Sequence, residues 1–274
     1  MTIYQSIILG IIQGITEFLP VSSSGHLVII PHLLGWRIPE NDAFAFNVLV
    51  QVATLLAVFV YFWCDLSNIL RAFMNSLVHK QSRMDPKARV GWYILLATIP
   101  AGLIGLILKN VVEVAFASPL ITASSLFVTA ILLLVAERAG SGNRPFGTLT
   151  WRDTLWIGFF QALAIFPGIS RSGATITGGM TRDLDRPAAA RFSFLMSVPI
   201  LILAGCSASL DLIKIPNLSS VMLTFIPGFL TAAIVGYLTI RWLLSFLSRH
   251  PLYIFSIYCI LMGLVALGGS ILGR

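Results

Sequence analysis

Leu19-Pro20-Val21-Ser22-Ser23-Ser24-Gly25-His26 interrupts an otherwise apolar run, residues 3–34, and Phe166-Pro167-Gly168-Ile169-Ser170-Arg171-Ser172-Gly173-Ala174-Thr175 interrupts a second, residues 154–180. Each break leaves apolar arms of roughly 8–16 residues, too short to cross a bilayer comfortably, which takes roughly 20. Such a pair of arms reads as a helical hairpin that dips into the membrane and returns. Its irregular tip must be buried in protein or line a cavity, because lipid cannot satisfy bare backbone groups. Outward from these two breaks, six uninterrupted apolar stretches predict crossings at about 43–63, 91–109, 119–137, 190–209, 221–244 and 252–272. The expected fold class is therefore an all-α polytopic membrane protein, with six transmembrane helices and two re-entrant hairpins.

Composition agrees. Of 274 residues, 57% are hydrophobic and 11% charged, with mean hydropathy +0.90. Soluble domains are about a quarter charged, so a soluble globular fold is excluded. The three cysteines, Cys64, Cys206 and Cys259, lie far apart in or beside apolar runs, which argues against a disulfide framework or a zinc cluster. No basic residue or small-residue cleavage site accompanies the first apolar run, so a cleavable signal peptide is not expected. The net charge of +7 comes from cations in short loops, a pattern that reports membrane orientation rather than nucleic-acid binding.

The two interruptions are related. A shift of 148 residues superposes Gly10 on Gly158, Gln13 on Gln161, Phe18 on Phe166, Ser22 on Ser170, Ser24 on Ser172 and Gly25 on Gly173. Phe44 and Phe46 fall on Phe192 and Phe194. Each half, approximately 1–140 and 149–272, would hold one hairpin and three crossings within a single membrane domain. An odd number of crossings inverts the second half, giving an inverted-topology repeat whose broken segments meet near the midplane.

With this topology the loops 64–91, 138–153, 181–191 and 241–251 share one side and carry thirteen Lys and Arg. The other side carries four, Arg37, Lys109, Lys214 and Arg274. The positive-inside rule makes the first side cytoplasmic and puts both termini outside.

Ionisable groups at membrane depth are functional candidates, and the tips hold Glu17, His26 and Arg171. Blander roles exist for each. Glu17 could be solvated at a helix end, His26 could be a neutral, hydrogen-bonded imidazole that shapes the tip, and Arg171 could pair with Glu17. The surroundings favour anion chemistry. Ser22, Ser23, Ser24, Ser170 and Ser172 supply hydroxyls, Gly25, Gly168 and Gly173 admit close backbone approach, and a helix starts after each tip. Helix N-termini attract anions, and a guanidinium suits phosphate. A carboxylate could hold a divalent cation or orient the imidazole, and His26 could activate a serine or a water.

The run Gln13-Gly-Ile-Thr-Glu17-Phe-Leu-Pro-Val-Ser-Ser-Ser-Gly-His26 resembles the first signature of the undecaprenyl-diphosphatase family, also called the bacitracin-resistance family. That signature is Glu or Gln, three residues, Glu, then Pro-x-Ser-Ser-x-Gly-His. Pro167-Gly-Ile-Ser-Arg-Ser-Gly-Ala-Thr175 resembles the second, Pro-Gly-x-Ser-Arg-Ser-x-x-Thr. The resemblance extends over essentially the whole chain. It implies hydrolysis of undecaprenyl diphosphate to undecaprenyl phosphate and inorganic phosphate, which recycles the lipid carrier of peptidoglycan synthesis and confers bacitracin resistance. It also implies a bacterial plasma-membrane homodimer, helped by a divalent cation (Mg2+ or Ca2+), with its site open to the outer face. Carried over, the functional positions are Glu17, Ser22, Ser23, His26, Ser170, Arg171 and Thr175. Position 13 is Gln, where many relatives have Glu, which weakens any two-carboxylate metal site here.

The mechanism expected from these residues has Ser23 as nucleophile, His26 as general base, Glu17 orienting His26 or holding the cation, and Arg171 with the tip amides on the phosphate. Ser22, Gly25, Ser170, Ser172, Gly173 and Thr175 would line the phosphate site. Attack by Ser22 or by water stays open. The alternative function is a polyprenyl-phosphate flippase that uses the same tips for binding only, since transporters share the inverted-repeat plan.

Overall fold

A computed structural model of the chain describes residues 1–108, 111–112, 115, 118–140, 142–212 and 218–271. Among them the regular structure is helical throughout: α1 (Ile3–Thr16), α2 (Ser23–Leu33), α3 (Glu40–Tyr61), α4 (Trp63–Val78), α5 (Pro86–Ile107), α6 (Pro119–Ala139), α7 (Trp151–Leu163), α8 (Arg171–Met180), α9 (Arg186–Leu212), α10 (Leu218–Leu247) and α11 (Tyr253–Ile271). Among the described residues five helices are long and apolar enough to cross a membrane: Glu40–Tyr61, Pro86–Ile107, Leu120–Ala139, Arg186–Leu203 and Met222–Leu247. The sixth expected crossing corresponds to α11, whose stretch Tyr253–Gly269 is apolar but shorter.

Both interrupted runs fold as short helix, turn, short helix. In the first, α1 ends at Thr16 and α2 starts at Ser23. In the second, α7 ends at Leu163 and α8 starts at Arg171. The breaks sit where Pro20 and Pro167 withhold an N–H and fix φ. Ser22 and Ser170 then restart each helix as N-caps, accepting from Gly25 N at 3.3 Å and Gly173 N at 3.1 Å.

The arms pack through small residues. A Cβ on Gly10 of α1 would lie 2.4 Å from Gly228 O on α10, and one on Gly158 of α7 would lie 2.6 Å from Ala97 O on α5. With little hydrophobic force between helices in lipid, such backbone approach supplies the dispersion contact. α1 packs on α10 and α7 on α5, while α3 meets α9 and α6 meets α11. A buried apolar cluster reaches the first tip, where Phe18 is fully buried edge-to-face on Phe194 at 5.4 Å.

One segment differs from expectation. Residues 64–91 read as a loop, yet they contain α4 and a 3-10 turn, Lys80–Met84. Leu66, Ile69, Leu70, Phe73, Met74 and Leu77 recur at helical spacing and give α4 an apolar face. A search for long apolar runs misses a helix that is apolar on one side only. Of the orientation cations, Lys109, Lys214 and Arg274 lie outside the described residues.

Candidate functional site

The two tips touch. Ser172 Oγ donates to Leu19 O at 3.1 Å, and a Cβ on Gly25 would sit 3.4 Å from Gly168 Cα. At this junction Arg171 Nη2 lies 2.6 Å from Glu17 Oε1, joining residues 154 apart in sequence. The other carboxylate oxygen, Oε2, accepts from Ser23 Oγ at 2.7 Å and from Gln13 Nε2 at 3.0 Å. Glu17 is 8% exposed, whereas Ser23 and Arg171 are half-buried, so the carboxylate sits beneath the hydroxyl and the guanidinium at the accessible rim.

The helix geometry explains this convergence. Gln13 and Glu17 are four residues apart and share one face of the α1 end. Ser22 takes φ +71°, a backbone region that L-residues rarely adopt, which turns the chain so that Ser23 opens α2. Gly168 sits at φ +91°, and a Cβ there would meet Thr122 O at 2.1 Å, so the second tip requires glycine. Thr129 of α6 staples that tip: its hydroxyl donates to Gly168 O at 3.1 Å and accepts from Ser170 N at 2.9 Å. The first turns of α2 and α8 leave backbone N–H groups with no partner inside the helix.

The repeat is visible in side-chain detail. Ser22 Oγ lies 3.3 Å from Ser24 Oγ, and Ser170 Oγ 3.1 Å from Ser172 Oγ. The chemistry is unequal: Glu17, Ser23 and His26 occupy the first tip, where the second has Ile165, Arg171 and Ala174.

Several expected phosphate ligands are otherwise engaged. The Ser170 hydroxyl caps α8, and the Ser172 hydroxyl is bound to Leu19 O. Thr175 Oγ1 contacts Arg171 O at 2.8 Å and Ser193 Oγ at 2.6 Å, which ties α8 to α9. Ser22 is 2% exposed and caps α2. Ser23, Ser24 and Arg171 remain partly open.

His26 is placed differently from the expected general base. No hydrogen bond joins it to Ser23. Its Nδ1 lies 2.7 Å from Ser22 O and its Nε2 2.7 Å from Tyr258 OH. A carbonyl can only accept, so Nδ1 carries the proton and Nε2 accepts from the phenol. Both ring nitrogens are occupied, and the imidazole holds the unusual Ser22 backbone in shape. The contact with Ser23 belongs to Glu17 instead.

Sequence reasoning missed Tyr258, Thr129 and Ser193. Tyr258 looks like any interfacial aromatic in an apolar helix. Thr129 and Ser193 are hydroxyls inside long spans, and only their polarity marked them.

Among the described residues no three His, Cys, Asp or Glu side chains gather as a metal site. Gln13 Oε1 is buried without a hydrogen-bond partner. It is a neutral, unpartnered oxygen on the residue that donates to the Glu17 carboxylate.

An all-helical, multi-pass membrane protein with a buried carboxylate, a hydroxyl and a guanidinium where two broken segments meet is the class that fold and site define. Within it, the chain belongs to the bacitracin resistance protein BacA family, which matches residues 6–265. It is 42% identical over 274 residues to a Thermomicrobium roseum protein named undecaprenyl-diphosphatase, an alignment covering 97% of this chain and 98% of that one. Proteins with the same name from Myxococcus xanthus and Methanosphaera stadtmanae are 39% identical over 267 residues and 38% over 276. Those alignments cover 97% of this chain in both cases and 89% and 98% of theirs.

Proposed function

We propose that this chain hydrolyses undecaprenyl diphosphate to undecaprenyl phosphate and inorganic phosphate at the junction of the two tips. Family membership supports the reaction class. The observation that carries the reading is the Ser23 hydroxyl donating to a carboxylate that also holds Arg171. That one contact set contains a nucleophile, a base and a cation for phosphate, and a site built for binding alone needs no nucleophile.

Substrate phosphate competes with Glu17 for Arg171 and draws the guanidinium onto its oxygens. Glu17 Oε2 then takes the Ser23 proton as Ser23 Oγ bonds to the terminal phosphorus. The bond from that phosphorus to the bridging oxygen breaks, and undecaprenyl phosphate departs. Water next attacks the phosphoserine and the bond from phosphorus to Ser23 Oγ breaks; Glu17 returns its proton to Oγ, restoring Ser23, and inorganic phosphate leaves carrying the water's oxygen and hydrogens. Arg171 and the first-turn amides of α2 and α8 stabilise charge on the transferring group. His26, braced by Tyr258, keeps Ser22 in the backbone state that presents Ser23.

Glu17 and Gln13 Oε1 are the groups that would hold a divalent cation, Mg2+ or Ca2+. Such an ion supplies neutralising charge to phosphoryl oxygens.

The reading includes an inverted repeat of halves approximately 1–140 and 149–272. Its support is the matching pairs of caps, Ser22 with Ser170, and of helix contacts, α1 on α10 with α7 on α5. The site opens to the exterior of a bacterial plasma membrane, with both termini outside. Like the family it resembles, the chain acts as a homodimer that recycles the lipid carrier for cell-wall synthesis and protects against bacitracin. The flippase alternative has no comparable support.

The test is phosphate release from undecaprenyl diphosphate by purified wild type and Arg171→Ala in detergent, with and without magnesium. Release that collapses in the variant supports the reading. A folded wild type that releases none under either condition contradicts it.

A further inference from the structure

A second feature lies away from the tips, at the end of the bundle that gathers Lys87, Arg89, Arg144, Arg152, Arg182 and Arg191. Between α4, α5 and α9 a cleft of about 230 Å3 is lined by Lys87, Arg89, Arg191, Tyr93 and Phe146, with Asp65 as its one acid. An apolar groove of about 340 Å3 adjoins it, walled by Phe59, Leu66, Leu70, Ile94 and Ile202. Ile69 and Leu195 border both, so the cationic cleft and the apolar groove lie side by side as a composite channel. No residue of the tip junction lines either.

The cleft is built for an anion. Arg191 is held from two sides: Nη2 lies 2.7 Å from Asp65 Oδ2, and the guanidinium stands 5.0 Å from the Phe146 ring centroid. Its Nε is buried with no hydrogen-bond partner, a donor that lacks an acceptor. Lys87 and Arg89 are exposed and make no ion pair among the described residues. The neighbouring cations are committed elsewhere, since Arg144 and Arg182 both bind Asp153. Three cations against one acid leave the cleft positive. Basic pockets between transmembrane helices at a leaflet surface take lipid phosphates.

We propose that this channel binds one anionic phospholipid, its phosphate accepted by Arg191, Lys87 and Arg89 and one acyl chain lying along the groove. The apolar groove decides for a lipid over free phosphate, since an inorganic ion would leave it without an occupant. The site is separate from the tip junction and does not depend on the phosphatase reading.

The experiment is native mass spectrometry of the full chain released from micelles that contain phosphatidylglycerol or phosphatidylcholine, with inorganic phosphate as a third probe. Wild type is expected to retain one phosphatidylglycerol in preference to phosphatidylcholine. Arg191→Gln could misfold by losing Asp65 and Phe146, so the deciding variant is Lys87→Gln with Arg89→Gln, two exposed residues without ion pairs. At about 1 kcal/mol for each cation and tenfold per 1.4 kcal/mol, loss of the two should weaken retention on the order of thirtyfold. A Leu70→Gln variant, placing an amide on the exposed wall of the groove, should weaken phosphatidylglycerol retention as well. Equal retention of the two lipids overturns the proposal, as does unchanged retention in the double variant. Displacement of the lipid by inorganic phosphate at equal concentration overturns the lipid assignment.

Discussion

Glu17→Gln is the perturbation that reads most directly on the junction. Glu17 accepts three hydrogen bonds, from Arg171 at 2.6 Å, Ser23 at 2.7 Å and Gln13 at 3.0 Å. Gln has the same shape but turns one acceptor into a donor. With its NH2 toward Arg171, donor faces donor. With its NH2 toward Gln13 and Ser23, the contacts survive only if the Gln13 amide flips to present Oε1 and the Ser23 hydroxyl turns from donor to acceptor, so Ser23 can no longer give its proton to residue 17. No rotamer keeps all three hydrogen bonds in their present direction. An amide is also no base at neutral pH, and loss of a positioned general base costs roughly 10²–10⁴ in rate, or about 3–5.5 kcal/mol. Orphaning a fully buried ion costs about 3–5 kcal/mol. Arg171 keeps 18% of its side chain exposed, so the stability loss should be nearer about 1–3 kcal/mol. The assay pairs saturating phosphate release with thermal unfolding in the same detergent. The expected result is a folded variant slowed at least about a hundredfold. A folded variant within about tenfold of wild type would refute the assignment of Glu17 as base.

Three further outcomes follow from the same geometry. Ser23→Ala should abolish phosphate release, while Ser22→Ala keeps it but loses about 0.5–2 kcal/mol of stability with the α2 cap; the reverse pattern would exchange their roles. At the cation-rich end burial pushes the Asp153 carboxyl up, yet hydrogen bonds from Arg144, Arg182 and Thr150 outweigh it and hold the group at about 2 against an ordinary 3.8. A lowered pKa stabilises the fold above about pH 4, and that gain is lost as pH falls toward 2. Asp153→Asn should therefore cost roughly 2 kcal/mol in thermal unfolding at pH 7 and progressively less below pH 4. For sidedness, Gly142→Cys should react with an impermeant maleimide in opened cells only, and labelling of intact spheroplasts would invert the topology.

The two tips were legible because their residues conflict with their setting. Hydroxyls, glycines, prolines and three ionisable groups inside apolar runs have no inexpensive place in lipid, so their positions announce a junction. Ser22 and Ser170, Gly25 and Gly173 fall in register in the sequence, and each pair makes the same N-cap contact in the fold. Pairing of Glu17 with Arg171 was open from charge alone and is found at 2.6 Å. Partner choice inside the junction was not legible. The sequence suggested His26 as the partner of Ser23, but His26 is engaged by Ser22 O and Tyr258 OH, and the Ser23 hydroxyl donates to Glu17. Tyr258 comes from α11, 232 residues from His26, and no local pattern links the two. α4 escaped notice because its apolar residues form a stripe rather than a run. That the Thr175 hydroxyl meets Ser193 of α9 was not legible either, because the two lie on different helices.

The central claim is that Glu17 of one half and Arg171 of the other act as one site. The most direct test is a double-variant cycle on kcat/KM for phosphate release, using Glu17→Gln, Arg171→Gln and the pair. Groups that act as a unit give non-additive losses. The account predicts a double variant about as slow as the slower single variant, because either change alone already disables the junction. Losses that multiply, with energies adding to within about 0.5 kcal/mol, would mean that the two residues work independently and would contradict it.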